Sequence, residues 1–171
     1  MADELLAQHI ERARELLGTA RHASMATVND DGSPHNTPYF FMYDDTLDHL
    51  YWGSHPESQH SKNLLRTGQL FVVLYDMMER GGLYIRAEQG HMVEGEELAK
   101  ALDVHNKFRA RDGKLPIPEA YYAGTKSPQR MWTAVPTNFW VNGVERDADG
   151  WIARDIRIEV EAKDLLSVES L

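Results

Sequence analysis

The sequence contains no cysteine among its 171 residues, and this excludes a disulfide framework, a thiolate metal site and a cysteine nucleophile together. It is also short of positive charge. Eighteen Lys and Arg against 27 Asp and Glu leave a formal net charge of -9 and a pI near 5.3. A chain of that sign repels phosphate backbones and anionic lipid, so neither nucleic acid nor a membrane surface is expected as its main partner. Any anion must be held by a local cluster of donors. No apolar run approaches the roughly 20 residues of a membrane helix, and residues 1–17 are charged and amphipathic rather than basic and then apolar. No signal peptide is read there, and a soluble, cytoplasmic protein is expected. The length and a hydrophobic content of 42% fit one domain over 1–171 with a core of ordinary size.

What is present is mostly strand. Leu5, Leu6, Ile10, Ala13, Leu16 and Leu17 recur at helical spacing and predict a first helix over about 3–17, stopped by Gly18. The runs His22–Asn29 and Pro38–Tyr43 read as a hairpin across the turn formers of 29–34. Leu47–Trp52 is a further strand, Ser58–Thr67 a helix closed by Gly68, and Leu70–Tyr75 a buried strand. A longer strand, Leu83–Val93, follows Gly81-Gly82, and Glu94–Arg111 is a helix with acidic residues first and basic residues last. Met131–Ala134, Phe139–Val144 and Ile156–Val160 are predicted as late strands, with Asn142-Gly143 and 147–150 as turns. About seven short strands with three helices predict a small closed or split antiparallel β-barrel.

The chemistry concentrates around the second helix. With Ser58 as N-cap, Gln59, His60 and Ser61 supply the free N–H groups of the first turn, and Ser58 and Lys62 share one face. A lysine near the positive end of the helix dipole is unfavourable alone and becomes favourable beside a bound phosphate. The same residues also describe an ordinary capped surface helix. Among the histidines, His55 and His60 are five apart across a proline-bearing turn, which is not the spacing of a helical zinc pair, so no metal is expected. Ser54, Ser58 and Ser61 lack the glycine elbow of an acyl-transfer serine.

The order of these pieces carries a resemblance. A turn rich in Asp and Gly, the strand Pro34-His35-Asn36-Thr37-Pro38-Tyr39-Phe40-Phe41, a strand ending Leu50-Tyr51-Trp52-Gly53-Ser54, the run His60-Ser61-Lys62-Asn63-Leu64 and the late strand from Pro136 to Gly143 together resemble the pyridoxamine 5'-phosphate oxidase-like family. The resemblance covers most of Ala20 to Ala153 and implies an FMN-binding split β-barrel, mainly β with peripheral helices. It implies that Asn36 and Thr37 line the isoalloxazine or ribityl chain, with Trp52, Gly53 and Ser54 alongside. His60, Ser61, Lys62 and Asn63 would hold the phosphate, Lys62 as charge and Ser61 as hydrogen-bond donor. It further implies a homodimer with flavin at the interface, Trp140 reaching it from the partner chain with Arg146 assisting. Trp140 reads equally as core or interface packing.

The chain departs from the family's oxidases in one respect. Arg109, Arg111, Lys126 and Arg130 do not form a recognisable grip for a substrate phosphate, and 109–130, with Tyr121, Tyr122 and Gly124, reads as a variable cover or a plain connection. The function read is therefore an FMN-dependent oxidoreductase for a small molecule, with a nicotinamide nucleotide as a possible electron donor. A haem-binding or haem-degrading relative, a flavin module without turnover and a deazaflavin cofactor are the alternatives. His35 is a candidate proton donor at the flavin edge.

Overall fold

The computed structural model describes residues 2–75 and 82–166. The first helix, α1 (Ala2–Thr19), buries Ala13, Leu16 and Leu17, the apolar stripe read from its spacing. Eight strands follow: β1 (His22–Val28), β2 (Pro34–Phe40), β3 (Met42–Tyr43), β4 (Leu50–Ser54), β5 (Leu70–Tyr75), β6 (Gly82–Met92), β7 (Arg130–Arg146) and β8 (Ile152–Val160). α2 (Gln59–Thr67) joins β4 to β5. α3 (Gly95–Arg111) and a 3-10 turn (Glu119–Tyr121) lie between β6 and β7, and α4 (Ala162–Leu165) follows β8. Among the described residues no helix is long and apolar enough to cross a membrane.

Among the described residues every strand pairing is antiparallel, in the order β2-β1-β5-β6-β7-β4-β3, with β8 also on β7. β7 makes the architecture. Its first residues, Arg130 to Ala134, pair with β4, and from Phe139 to Arg146 the same edge pairs with β8. One strand thus changes neighbour midway, and β4 and β8 diverge from it. The Tyr39 and Trp52 rings meet edge-on at 5.9 Å between β2 and β4, so side chains rather than a ladder draw the ends of the sheet together. The fold is a split antiparallel β-barrel.

Two cores hold it. Met25, Phe41, Trp52, Val72, Ile85 and Trp132 fill the barrel. On the other side of β4, Tyr51, Leu98, Ala101, Phe108, Met131 and Tyr122 pack α3 and its following loop against the sheet. The alternation along β4 sorts its residues: Leu50 and Trp52 enter the barrel core, while Tyr51 joins the second. α2 ends where Gly68 takes the left-handed conformation (φ 66°) and its N–H reaches the Leu64 carbonyl at 2.7 Å. Glycine suits that position because it has no Cβ to clash.

Several expected boundaries change. Asn142-Gly143 is not a turn but lies inside β7, which runs unbroken where two strands were expected. The side chain of Ile158 lies across Gly143, so close that an added Cβ would stand 2.5 Å from its Cδ1. The missing side chain serves strand packing there. The hairpin turns at the other expected turn, 147–151, where Asp147 N–H donates to the Trp151 carbonyl (2.9 Å), and β8 starts four residues earlier than expected. β4 starts at Leu50 rather than Leu47, because the Asp44 carboxylate gathers the N–H groups of Asp48 and His49 and Leu47 takes a positive φ of 57°. Gly81 lies outside the described residues.

Candidate anion and cofactor site

The alternation of β2 places His35 and Thr37 on the face that Tyr39 turns toward the barrel. Ser54 ends β4 on the face of Trp52, and its carbonyl accepts the Trp132 indole N–H at 3.2 Å. A short loop then brings the first turn of α2 back over Ser54. Three hydroxyls and an imidazole meet there: Ser54 Oγ lies 2.9 Å from Ser58 Oγ and 2.6 Å from His60 Nε2, and Ser58 Oγ lies 2.9 Å from Ser61 Oγ. The His35 ring stacks on His60 with centroids 6.5 Å apart and planes 20° from parallel. Ser61 is fully buried and Ser54 nearly so.

Ser58 occupies the N-cap but does not cap. Its hydroxyl donates to the His55 carbonyl (2.8 Å) instead of to the helix, and the first helical bond runs from Lys62 N–H to the Ser58 carbonyl. The N–H groups of Gln59, His60 and Ser61 precede that bond and receive no side-chain cap. No acidic residue stands in the first turn. Lys62 Nζ lies 2.9 Å from the Glu57 carboxylate at the rim, and that partner draws Glu57 below the usual carboxylate range. Burial, aided by the charge of His35, holds His60 below the usual imidazole range, so near pH 7 it is neutral.

Ser54, His60 and Ser61 are thus brought together, with Lys62 beside them and Thr37 on the adjoining face of β2. Ser58 and His35 complete the cluster. The N-cap position marks Ser58 in the sequence, whereas His35 meets His60 only because β2 passes the start of α2. Other expected site residues are placed elsewhere. Trp52 has no exposed surface and packs on Tyr39 inside the barrel. Asn63 is buried, and its amide donates to Thr27 Oγ1 (2.9 Å) and Asn29 Oδ1 (3.0 Å), tying α2 to β1. Asn36 lies on the outer face of the sheet, where Ser24 Oγ donates to its Oδ1 at 2.8 Å. Gly53 faces away from the cluster toward Tyr122, whose hydroxyl would stand 2.9 Å from an added Cβ.

Trp140 lies on the same outer face as Asn36, stacked on Phe71 at 6.0 Å beside Tyr84, with the Arg157 guanidinium 4.1 Å over the Tyr84 ring. It is neither core nor near Ser54 within one chain. In the segment 109–130, Arg109 is bonded to the Leu115 carbonyl, Arg111 lies over Phe108 and Arg130 packs on Gly124. These cations are taken up by the segment's own fold. Behind it, His105 is buried against Phe40 and Tyr122 with Nδ1 unpartnered, and burial with the nearby Arg109 lowers its pKa to about 4. Burial also pushes Tyr122 up to about 12.

No functionally curated protein matches the chain in sequence. Solved structures share its fold at low identity. A protein related to general stress protein 26, of the pyridoxinephosphate oxidase family, from Clostridium acetobutylicum is 13% identical with a TM-score of 0.59, covering 90% of this chain and 96% of that one. A heme storage protein from Vibrio cholerae is 17% identical (TM-score 0.59; 77% and 92% covered), and an F420 reductase is 18% identical (TM-score 0.53; 74% and 94%). The family model described as pyridoxamine 5'-phosphate oxidase matches residues 10–135, from within α1 through the whole hydroxyl and imidazole cluster to the middle of β7. The chain belongs to the pyridoxamine 5'-phosphate oxidase family.

Proposed function

We propose that this protein binds FMN and acts as a flavin-dependent oxidoreductase on a small organic substrate. The observation that carries the reading is the cluster at the start of α2: uncapped N–H groups, the hydroxyls of Ser54, Ser58 and Ser61, and Lys62 at the rim, on a chain whose net charge is -9. On such a chain a concentration of donors with no first-turn carboxylate suits a phosphate monoester.

These residues fit the phosphate end of FMN. Ser61, Lys62 and the first-turn N–H groups would hold it, with Ser54, Ser58 and His60 behind, and Thr37 would border the ribityl chain. When bound, the flavin supplies the redox chemistry. The protein binds and orients it, and the Trp132 bond to the Ser54 carbonyl fixes the strand end on which the cluster is built. A nicotinamide nucleotide is the electron donor that suits such chemistry. His60 Nε2 is engaged with Ser54, which favours an anion over a haem iron seeking a free imidazole nitrogen at this position.

A second copy of the chain is proposed to cover the outer sheet face. Phe71, Tyr84 and Trp140 stand there partly exposed, with Tyr75 59% and Val28 48% exposed at its margins. A groove of about 310 Å³ lined by Ala26, Val28, Pro34, Gln69, Phe71 and Arg86 continues it. A contiguous aromatic patch of this kind is an interaction surface, and a partner's Trp140 would then complete the flavin site.

The absorption spectrum of the purified protein, with mass spectrometry of the released ligand, tests the reading. FMN is expected. A Soret band would replace it with haem, and a deazaflavin mass would keep the redox reading but change the cofactor.

A further inference from the structure

The three hydroxyls around the start of α2 bond to one another, to His60 and to the His55 carbonyl, and one consistent arrangement uses every hydrogen within the cluster and its loop. Ser58 Oγ–H donates to the His55 carbonyl at 2.8 Å. With that hydrogen used, Ser61 is the donor in its 2.9 Å bond to Ser58. The shortest contact of Ser54 Oγ is 2.6 Å to His60 Nε2, which in a neutral imidazole protonated at Nδ1 is a lone pair. So arranged, the hydroxyls turn lone pairs rather than hydrogens toward a ligand, and the first-turn N–H groups and Lys62 are the donors left. A phosphate dianion, which only accepts, then gains nothing from the hydroxyls.

A hydrogen on His60 Nε2 reverses it, since the ring then donates to Ser54 Oγ across the same 2.6 Å and the Ser54 hydrogen is freed. The neutral ring does this by moving its hydrogen from Nδ1, without a net charge, whereas the imidazolium carries hydrogen on both nitrogens. The imidazolium also places a positive charge beside the anion. In the free protein this proton is disfavoured, since His60 is half-buried and His35 lies stacked against it. The ionisable neighbours of the cluster are His35 on β2, His55 and Glu57 in the loop before α2, and Lys62 on α2, whose charge Glu57 balances at 2.9 Å. β4 contributes the neutral Ser54.

We infer that His60, with His35 stacked on it, is the proton-linked element of the anion site, so that a phosphate monoester binds as the dianion together with one proton taken from solvent. No covalent step is involved: the proton passes from water to His60, and the hydrogen of Ser54 turns from His60 toward the ligand. This rests on the phosphate reading of the cluster and adds to it how the site is regulated, because occupancy rises as the pH falls toward 6.5. Below about pH 6 the ligand takes its own second proton and the gain ends.

Calorimetric titration of the full chain with FMN at pH 7.5, in Hepes and in Tris, measures the proton directly, since buffers of different ionisation enthalpy yield different apparent heats when a proton is taken up. Inorganic phosphate serves as a second probe without the ring. Uptake approaching one proton per site is expected, with affinity rising as the pH falls from 8 to 6.5 by up to about tenfold per pH unit. His60→Gln, which keeps a hydrogen-bonding group and cannot titrate, is expected to bind without uptake and with a flat pH profile. His35→Gln removes the neighbour whose charge opposes the proton, so the rise of FMN affinity with falling pH is expected to begin at a higher pH than in the native chain. It carries the test if the His60 variant fails to fold. FMN binding with equal heats in both buffers and no pH dependence overturns this inference and leaves the flavin reading standing. Failure of both FMN and phosphate to bind overturns the two together.

Discussion

The indole N–H of Trp132 on β7 donates to the main-chain carbonyl of Ser54 on β4 at 3.2 Å, inside the barrel and directly beneath the hydroxyl cluster. The two residues are 78 positions apart in the chain. Their bond sets where β4 ends and therefore where Ser54 presents its hydroxyl to α2. Replacing Trp132 by Phe removes that hydrogen bond at a cost of about 0.5–1.5 kcal/mol, and it loosens the strand end as well. A lower denaturation midpoint together with weaker FMN binding is expected. A loss of stability with unchanged affinity would show that the cluster does not depend on the tie.

Asn63 separates packing from ligand binding. Its side-chain amide joins Gln59, Thr27 and Asn29 in a buried network. Asn63→Asp exchanges the donor facing the Thr27 and Asn29 oxygens for a carboxylate, and a destabilisation of about 3 kcal/mol or more is expected from the buried charge. Urea unfolding reads the change. An effect on FMN affinity with no change in stability would return Asn63 to the phosphate site.

Lys62 and Glu57 have opposite expected effects. Lys62→Ala removes a cation at the rim and is expected to weaken FMN about tenfold or more, a charged hydrogen bond being worth about 1.5–3 kcal/mol. Glu57→Gln frees the ammonium from its 2.9 Å partner and is expected to tighten binding, the more so at low salt. Fluorescence titration with FMN measures both. Equal affinity in all three proteins would place the phosphate elsewhere.

His105 makes stability depend on pH. Its pKa in the folded chain is about 4, lowered by burial first and by Arg109 second, against 6.5 as the ordinary value. Between those values the unfolded chain binds the extra proton, so the contribution is fully present above pH 6.5 and is lost as the pH falls toward 4. The loss is on the order of 2–3 kcal/mol. His105→Leu removes both the titration and the unpartnered Nδ1, so the variant is expected to be more stable than the native chain at pH 4.5 and its stability curve flatter below pH 6.5. Parallel curves for the two proteins would contradict the assignment.

Trp140 is expected to link assembly to cofactor binding. Trp140→Glu puts a charge among Phe71, Tyr84 and Arg157 on the proposed dimer face. Light scattering is expected to show a monomer, and FMN affinity is expected to fall with it. A monomer with native affinity would mean that one chain holds the flavin alone.

The pattern of residues made much of this molecule legible. The apolar run 70–75 and the helix closed by Gly68 are local signals, and the structure follows them closely. Asn142-Gly143 misled because the same dipeptide that favours a turn also suits a strand pressed against Ile158, and only the partner strand decides which. Within the site, Ser58, Ser61 and Lys62 announce themselves by helical spacing. The stacking of His35 on His60, the bond from Trp132 to Ser54 and the seat of Tyr122 over Gly53 join elements distant in the chain. No local pattern encodes those meetings. The motif places Trp52 and Asn63 toward a ligand, and the structure packs Trp52 on Tyr39 and bonds Asn63 to Thr27 and Asn29.

The most direct test is titration of the purified chain with FMN, followed by flavin absorbance and fluorescence and repeated with Lys62→Ala. The account predicts saturable binding of one FMN per chain by the native protein and markedly weaker binding by the variant. A colourless protein that leaves FMN free in solution, or one that takes up haem with a Soret band and ignores FMN, would contradict it.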